Sequence, residues 1–382
     1  MGERIPVAVI PGDGIGREVT PYGVQALELA AQIHGGFSFQ FQEFPWSCEY
    51  YQQTGRMMPD DGIATLRSFE AIFLGAVGLP QVVPDHVSLW GLLIPIRREL
   101  HQYINLRPVK YLAGIKSPLA NPDGIDILVV RENSEGEYSP SGGRIGEGED
   151  ELVIQNAVFT RKGTERAMRY AFQLAAARLS SRFSSGLSSR SQDSVFEAPS
   201  SGKPFVTSAT KSNGIFHSMP FWDEVFEDVA KDYPKVGHGS MHIDALAAAF
   251  VTKPQSLDVV VASNLFGDIL TDVGAAIMGS IGIAPSANLN PSRKYPSMFE
   301  PVHGSAPDIV GKGIANPIGQ LWSAKMMLDF FGYEEVAQLL MESIELVIQR
   351  QIVTPDLGGR ASTKEAAEAV LSTFQNLGNR GK

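Results

Sequence analysis

Cysteine is almost absent. The 382 residues contain one, Cys48, so no intrachain disulfide can form and a reducing compartment fits the composition. Long apolar runs are missing as well: none approaches the ~18 consecutive residues that a crossing helix needs. Basic excess is lacking too, because 32 Lys and Arg stand against 42 Asp and Glu for a formal net charge of −10. That balance argues against a broad nucleic-acid surface, while leaving room for a small basic pocket. No self-similar period of about 20 to 50 residues recurs, which excludes a solenoid or propeller. An apolar strand pattern begins almost at once, at Ile5 to Ile10, and leaves no room for a signal peptide ahead of it. The expected location is the cytoplasm, with neither membrane nor nucleic acid as a partner.

The most informative stretch runs from Asp258 to Asp272. Val259 to Val261 reads as a buried parallel strand. Asn264 reads as a helix cap, after which Leu265, Ile269, Leu270 and Val273 recur at helical spacing. Asp268 and Asp272 are then one turn apart on one helix face. Two like charges held so close repel unless a cation lies between them, and aspartate oxygens are hard ligands suited to Mg²⁺ or Mn²⁺. A solvated acidic face is the competing reading.

Around this stretch, strand and helix patterns alternate in the manner of an α/β layered fold. Ile5 to Ile10 leads into Gly12, Gly14 and Gly16, then a helix from about Arg17 to Ile33. The glycine spacing does not match the dinucleotide fingerprint, so a tight strand-to-helix turn is expected. Asp85 to Tyr103 carries His86 and Trp90, then a helix with Arg97 near its end. Arg107 follows in extended chain, and Arg131 ends the strand Ile125 to Val130. Together the three arginines suggest a dianionic substrate, since guanidinium groups engage carboxylates in bidentate fashion. Trp90 either narrows that pocket or anchors the core. Glu151 to Thr160 reads as a strand, Gly163 to about Leu179 as a helix, and Ser180 to Gly202 as a flexible Ser-rich loop. Lys211 ends the next strand, where it is either a surface charge or a proton shuttle. Asp244 lies on an expected helix from Met241 to Phe250, as a candidate third metal carboxylate or a core-edge cap. Pro285 to Glu300 reads as a loop.

Taken as a set, these residues resemble the isocitrate and isopropylmalate dehydrogenase family. The resemblance rests on Ile10-Pro-Gly-Asp-Gly-Ile-Gly, Asn105-Leu-Arg-Pro, Arg131-Glu-Asn-Ser-Glu-Gly-Glu-Tyr, Thr210-Lys-Ser-Asn, Asn264-Leu-Phe-Gly-Asp-Ile-Leu-Thr-Asp, Glu300-Pro-Val-His-Gly-Ser-Ala-Pro-Asp and Gly311-Lys-Gly-Ile-Ala-Asn-Pro. They fall in family order and cover the chain nearly end to end. Asp85-His-Val-Ser-Leu-Trp-Gly-Leu-Leu and Thr207-Ser-Ala-Thr-Lys-Ser-Asn-Gly look most like the tartrate and D-malate branch.

The resemblance implies an α/β two-domain fold with a large mixed sheet that is not the Rossmann fold. It divides the chain into residues 1–102 plus 279–382, which hold the nucleotide, and residues 103–278. The second part includes an arm at about 139–160 that clasps a partner, and the insertion at about 180–202. A homodimer with shared active sites is expected. Carried over by motif, Arg97, Arg107 and Arg131 bind the substrate carboxylates beside Trp90. Asp268 and Asp272 hold Mg²⁺ or Mn²⁺ together with Asp244 of the second copy. Tyr138, and Lys211 from the second copy, handle protons. Glu300, His303, Gly304, Ser305, Ala306, Asp308 and Asn316 line the nucleotide site. An acid at Asp308 favours the paired ribose hydroxyls of NAD and repels the extra phosphate of NADP. A monovalent cation such as K⁺ is a further possible cofactor. The activity implied is oxidation and decarboxylation of a small 2-hydroxy diacid, D-malate to pyruvate and CO₂, or tartrate oxidation. The alternatives are a 3-isopropylmalate dehydrogenase and a family-shaped subunit without turnover.

Overall fold

A computed structural model of the chain describes residues 2–184 and 204–380. Its strands, in chain order, are β1 (Glu3–Gly12), β2 (Phe37–Glu43), β3 (Ala71–Ala76), β4 (Ile104–Lys110), β5 (Asp126–Glu132), β6 (Gly142–Ile145), β7 (Leu152–Gln155), β8 (Phe205–Thr210), β9 (Gly237–His242), β10 (Val259–Ala262), β11 (Pro285–Leu289) and β12 (Ser297–Pro301). The chain folds as two compact units, one of residues 1–102, 111–120 and 278–382, the other of residues 103–110 and 121–277.

In the first unit the strand order is β2-β1-β3-β12-β11. All neighbours are parallel except the β11–β12 pair. Every residue of β3, Ala-Ile-Phe-Leu-Gly-Ala, is buried, as a parallel strand covered on both faces requires. The helix Gly16–His34 packs on this sheet and stops at Gly35, whose φ of 75° gives the left-handed cap that a glycine adopts without penalty. The helix Ile318–Phe331 is buried almost all round, which marks it as a core element.

In the second unit the order is β4-β5-β10-β8-β9, antiparallel only between β4 and β5. Val259 to Ala262 of β10 are fully buried between β5 and β8. The helix Asn264–Met278 follows at once, and two glycines let it lie close to the sheet. A Cβ on Gly274 would come 2.4 Å from Val109, and one on Gly267 would come 2.6 Å from Arg131. β6 and β7 form a separate two-stranded ribbon.

The mixed α/β architecture agrees with the expectation from sequence. Several local expectations are overturned. Pro285 to Glu300 is not a loop but the β11–β12 hairpin, with Ser286 opposite Glu300 and Asn288 opposite Met298. Its buried polar residues, Ser286, Asn288 and Ser297, hide the apolar pattern by which a strand is read. The strand expected over Glu151 to Thr160 shrinks to β7. Met241 and His242 close β9, and the helix starts only at Ile243. The helix expected to end near Leu179 continues from Arg161 to Ser184, and residues 185–202 of the expected Ser-rich loop lie outside the described residues. Among the described residues no helix is long and apolar enough to cross a membrane.

Candidate active site

The Asn264–Met278 helix is the organising element of the second unit. Arg107, on β4, is 8% exposed and Arg131, on β5, is 3% exposed. A charge buried that deeply must find partners or it is strongly destabilising. Arg131 donates its Nε and Nη2 to Asn264 Oδ1 at 3.0 and 2.7 Å, and its Nη1 pairs with Asp268. Arg107 Nη1 donates to Thr271 Oγ1 at 2.7 Å. The same nitrogen lies 3.6 Å from Asp268 Oδ1 and 3.8 Å from Asp272 Oδ1. The two carboxylates therefore do share one helix face, and cationic groups stand beside both. Burial and the neighbouring Asp268 charge push the Asp272 carboxyl up, against the pull of Arg107 and Arg131. Asn264 does not cap its own helix, as its position suggested. Its oxygen holds Arg131, and its Nδ2 donates to the Glu135 carbonyl at 3.1 Å.

Tyr138 joins this group. Its hydroxyl donates to Asp268 Oδ2 at 2.8 Å, and the Arg131 guanidinium lies 5.6 Å from its ring centre. Lys211 and Asp244 form a pair of their own, Nζ to Oδ2, at 2.9 Å. That hydrogen bond to Lys211 holds the exposed Asp244 carboxyl below its ordinary value. Asp244 is thus the lysine's partner within the chain rather than a core-edge cap. No group of three His, Cys, Asp or Glu able to hold a metal forms among the described residues.

In the first unit, Arg97 Nη2 pairs with Glu300 Oε1 at 2.9 Å, and Asn288 Nδ2 donates to the same oxygen at 2.6 Å. Trp90 sits on a π-helical turn, Leu89–Leu93, a feature frequent at functional sites. It is 41% exposed and the Arg98 guanidinium covers it at 4.9 Å, so it is not a core anchor. The glycine turn after β1 serves a nearby turn rather than a dinucleotide fingerprint. Ile15 N donates to Ser305 O at 2.9 Å, and a Cβ on Gly14 would come 2.1 Å from that same oxygen. Ala306 has a φ of 43°, a left-handed conformation that clusters at functional turns. His303 is buried, and burial lowers its pKa. Gly304 faces open space, and Asp308 is exposed. Asn316 Nδ2 donates to Asp356 Oδ2 at 2.9 Å, an acid also bound by Ser280 and Thr354.

The family model described as isocitrate/isopropylmalate dehydrogenase matches residues 6–186 and 188–370. The chain belongs to that family. A probable tartrate dehydrogenase/decarboxylase of Bacillus subtilis is 58% identical over 375 residues, covering 98% of this chain and 99% of the relative. A D-malate dehydrogenase (decarboxylating) of Escherichia coli is 51% identical, covering 97% and 98%. The crystal structure of an isocitrate dehydrogenase from Methylococcus capsulatus superposes with a TM-score of 0.81 at 29% identity, over 97% of this chain and 99% of that one.

Dehydrogenases of this family use NAD and a divalent metal, and the residues present fit both groups. For a metal, Asp268 and Asp272 offer hard oxygens one turn apart on one helix face. For a nucleotide, the His303 turn has an open glycine and a buried His303 Nε2 with no hydrogen-bond partner among the described residues.

Three residues beside these sites escape a reading of the sequence alone. Asp356 lies in what reads as a Pro-Asp-Leu-Gly-Gly turn. Asn264 reads as a cap, and Glu132 as one acid among three in its motif.

Proposed function

We propose that the protein catalyses the NAD- and divalent-metal-dependent oxidation and decarboxylation of a small 2-hydroxy diacid. The substrate is D-malate, giving pyruvate and CO₂, with tartrate as a second substrate. The observation that carries this reading is the convergence of Arg107, Arg131, Tyr138, Asp268 and Asp272 on one helix face. The names of the two curated relatives support the substrate class.

Arg107 and Arg131 engage substrate carboxylates through their guanidinium forks, and Arg97 is assigned the same role. Asp268 and Asp272 hold Mg²⁺ or Mn²⁺, with Asp244 of a second copy completing the set. Held there, the ion would supply Lewis-acid stabilisation of developing negative charge. Lys211 would take the hydroxyl proton from the C2 oxygen, and NAD would supply the acceptor for the hydride lost from C2. The C4 carboxylate then departs from C3 as CO₂, and the Tyr138 hydroxyl returns a proton to C3. D-malate and NAD⁺ give pyruvate, CO₂ and NADH with no net proton. Glu300, His303, Gly304, Ser305, Ala306, Asp308 and Asn316 form the nucleotide site, where the Asp308 carboxylate favours ribose hydroxyls over a phosphate. K⁺ is an accessory ion in this scheme. The Trp90 indole, covered by Arg98, favours the small C3 substituents of malate and tartrate over the isopropyl group of 3-isopropylmalate.

The working unit in this reading is a cytoplasmic homodimer in which Lys211 and Asp244 serve the second copy's site. The two-stranded arm supports it: Ile145, Leu152 and Ile154, on one face of the β6–β7 ribbon, are 62, 53 and 42% exposed, an apolar patch that one chain leaves uncovered. The experiment is NADH formation from D-malate with Mn²⁺, with and without a chelator. The reading predicts turnover abolished by the chelator and restored by excess Mn²⁺ or Mg²⁺. Turnover indifferent to the chelator would contradict it, as would NADH binding without turnover.

A further inference from the structure

Glu132 is the second residue of the Arg131–Tyr138 turn and is 2% exposed. The mechanism above gives it no task. Burying a carboxylate is costly unless donors replace its water, and here they do so densely. Ser134 N lies 3.1 and 3.0 Å from its two oxygens, Ser134 Oγ donates at 2.6 Å, and Glu135 N donates at 2.7 Å. Arg166 Nη2 approaches at 3.4 Å and donates to Ser134 Oγ at 2.5 Å, while its guanidinium lies 4.2 Å from the Tyr103 ring centre.

Beyond β5 the chain must leave the sheet and reverse before reaching Tyr138, and four consecutive N–H groups lose their ladder partners. Asn133 N donates to Tyr103 O at 3.0 Å and Gly136 N to Val158 O at 2.8 Å. The two between them, Ser134 and Glu135, have the Glu132 carboxylate. Without it these two half-buried donors would lose their partner or the turn would open. The Glu135 carbonyl is then free to accept from Asn264, and Gly136 takes a φ of 80°. Two residues later the phenol meets Asp268.

We propose that Glu132 is a positioning residue: its carboxylate fixes the turn that holds the Tyr138 hydroxyl at the reacting centre. This rests on the reading of Tyr138 as proton donor. A side-chain amide in its place offers one acceptor and two donors toward a nest of donors, so the turn shifts while its shape is nearly kept.

The test compares Glu132→Gln, Tyr138→Phe and the double variant in holoenzyme, by kcat, KM and thermal midpoint. Glu132→Gln is expected to lower kcat about 10- to 100-fold, the scale of a small misplacement, with KM for NAD⁺ unchanged. The double variant is expected to be no slower than Tyr138→Phe alone. Ser134→Ala removes one donor to the same carboxylate and is expected to lower kcat in the same direction, which keeps the test open if Glu132→Gln does not fold. Tyr138→Phe at the wild-type rate would refute the Tyr138 reading itself. With Tyr138→Phe slow, a wild-type rate in Glu132→Gln, or losses that multiply in the double variant, would overturn the positioning role alone.

Discussion

The Tyr138 hydroxyl donates to Asp268 Oδ2 across 2.8 Å, so the proposed proton donor rests on a proposed metal ligand. Replacing Tyr138 by Phe keeps the ring under Arg131 and removes only the oxygen. We expect kcat for D-malate to fall about 10²- to 10⁴-fold, the usual worth of a positioned proton donor, with the thermal midpoint nearly unchanged. Steady-state kinetics and a melting curve check both parts. A variant that melts early and reacts normally would make the hydroxyl structural.

A shared site predicts complementation. Lys211→Met and Asp268→Asn proteins should each be inactive, because one lacks the lysine and the other a metal ligand. Unfolded together and refolded, half the dimers carry one of each, and one site in such a dimer is intact. About a quarter of wild-type activity should return, as two-fold symmetry requires. Sites built from one chain would give none.

Gly14 tests the proposed nucleotide turn. Its φ is +55°, and an added Cβ would sit 2.1 Å from Ser305 O. Gly14→Ala should cost about 1–2 kcal/mol for the left-handed backbone alone, and should displace the Ser305 turn. KM for NAD⁺ is expected to rise well before kcat falls, which initial rates over a range of NAD⁺ will show.

His303 gives the pH dependence a sign. Burial holds its pKa below the ordinary 6.5, although the Gly304 carbonyl, Asp356 and Glu300 pull it up. Below pH 6.5 the unfolded chain takes up a proton that the folded chain refuses, so stability falls with pH through that window and levels off below the folded pKa. Melting curves between about pH 7.5 and 5.5 should slope less for His303→Gln than for the wild type.

The Asn264–Met278 helix was legible because β-branched strand residues and apolar helical spacing coincide between Asp258 and Asp272. The β11–β12 hairpin was not, since Ser286 and Asn288 are polar yet buried, and local pattern carries no information about what covers a strand. Asn264 shows the same limit from the other side. Its position fits a cap, but a buried guanidinium from a distant strand competes for the oxygen and wins, with two N–H donors against one. Asp356 lies 40 positions from Asn316, and nothing near it in sequence marks the contact.

The most direct test of the central claim is the product balance from D-malate with NAD⁺ and Mn²⁺, measured as NADH, pyruvate and CO₂ in one reaction. The account predicts equal amounts of all three, and faster turnover than on 3-isopropylmalate. NADH accompanied by a C4 keto acid without CO₂, or turnover confined to 3-isopropylmalate, would contradict it.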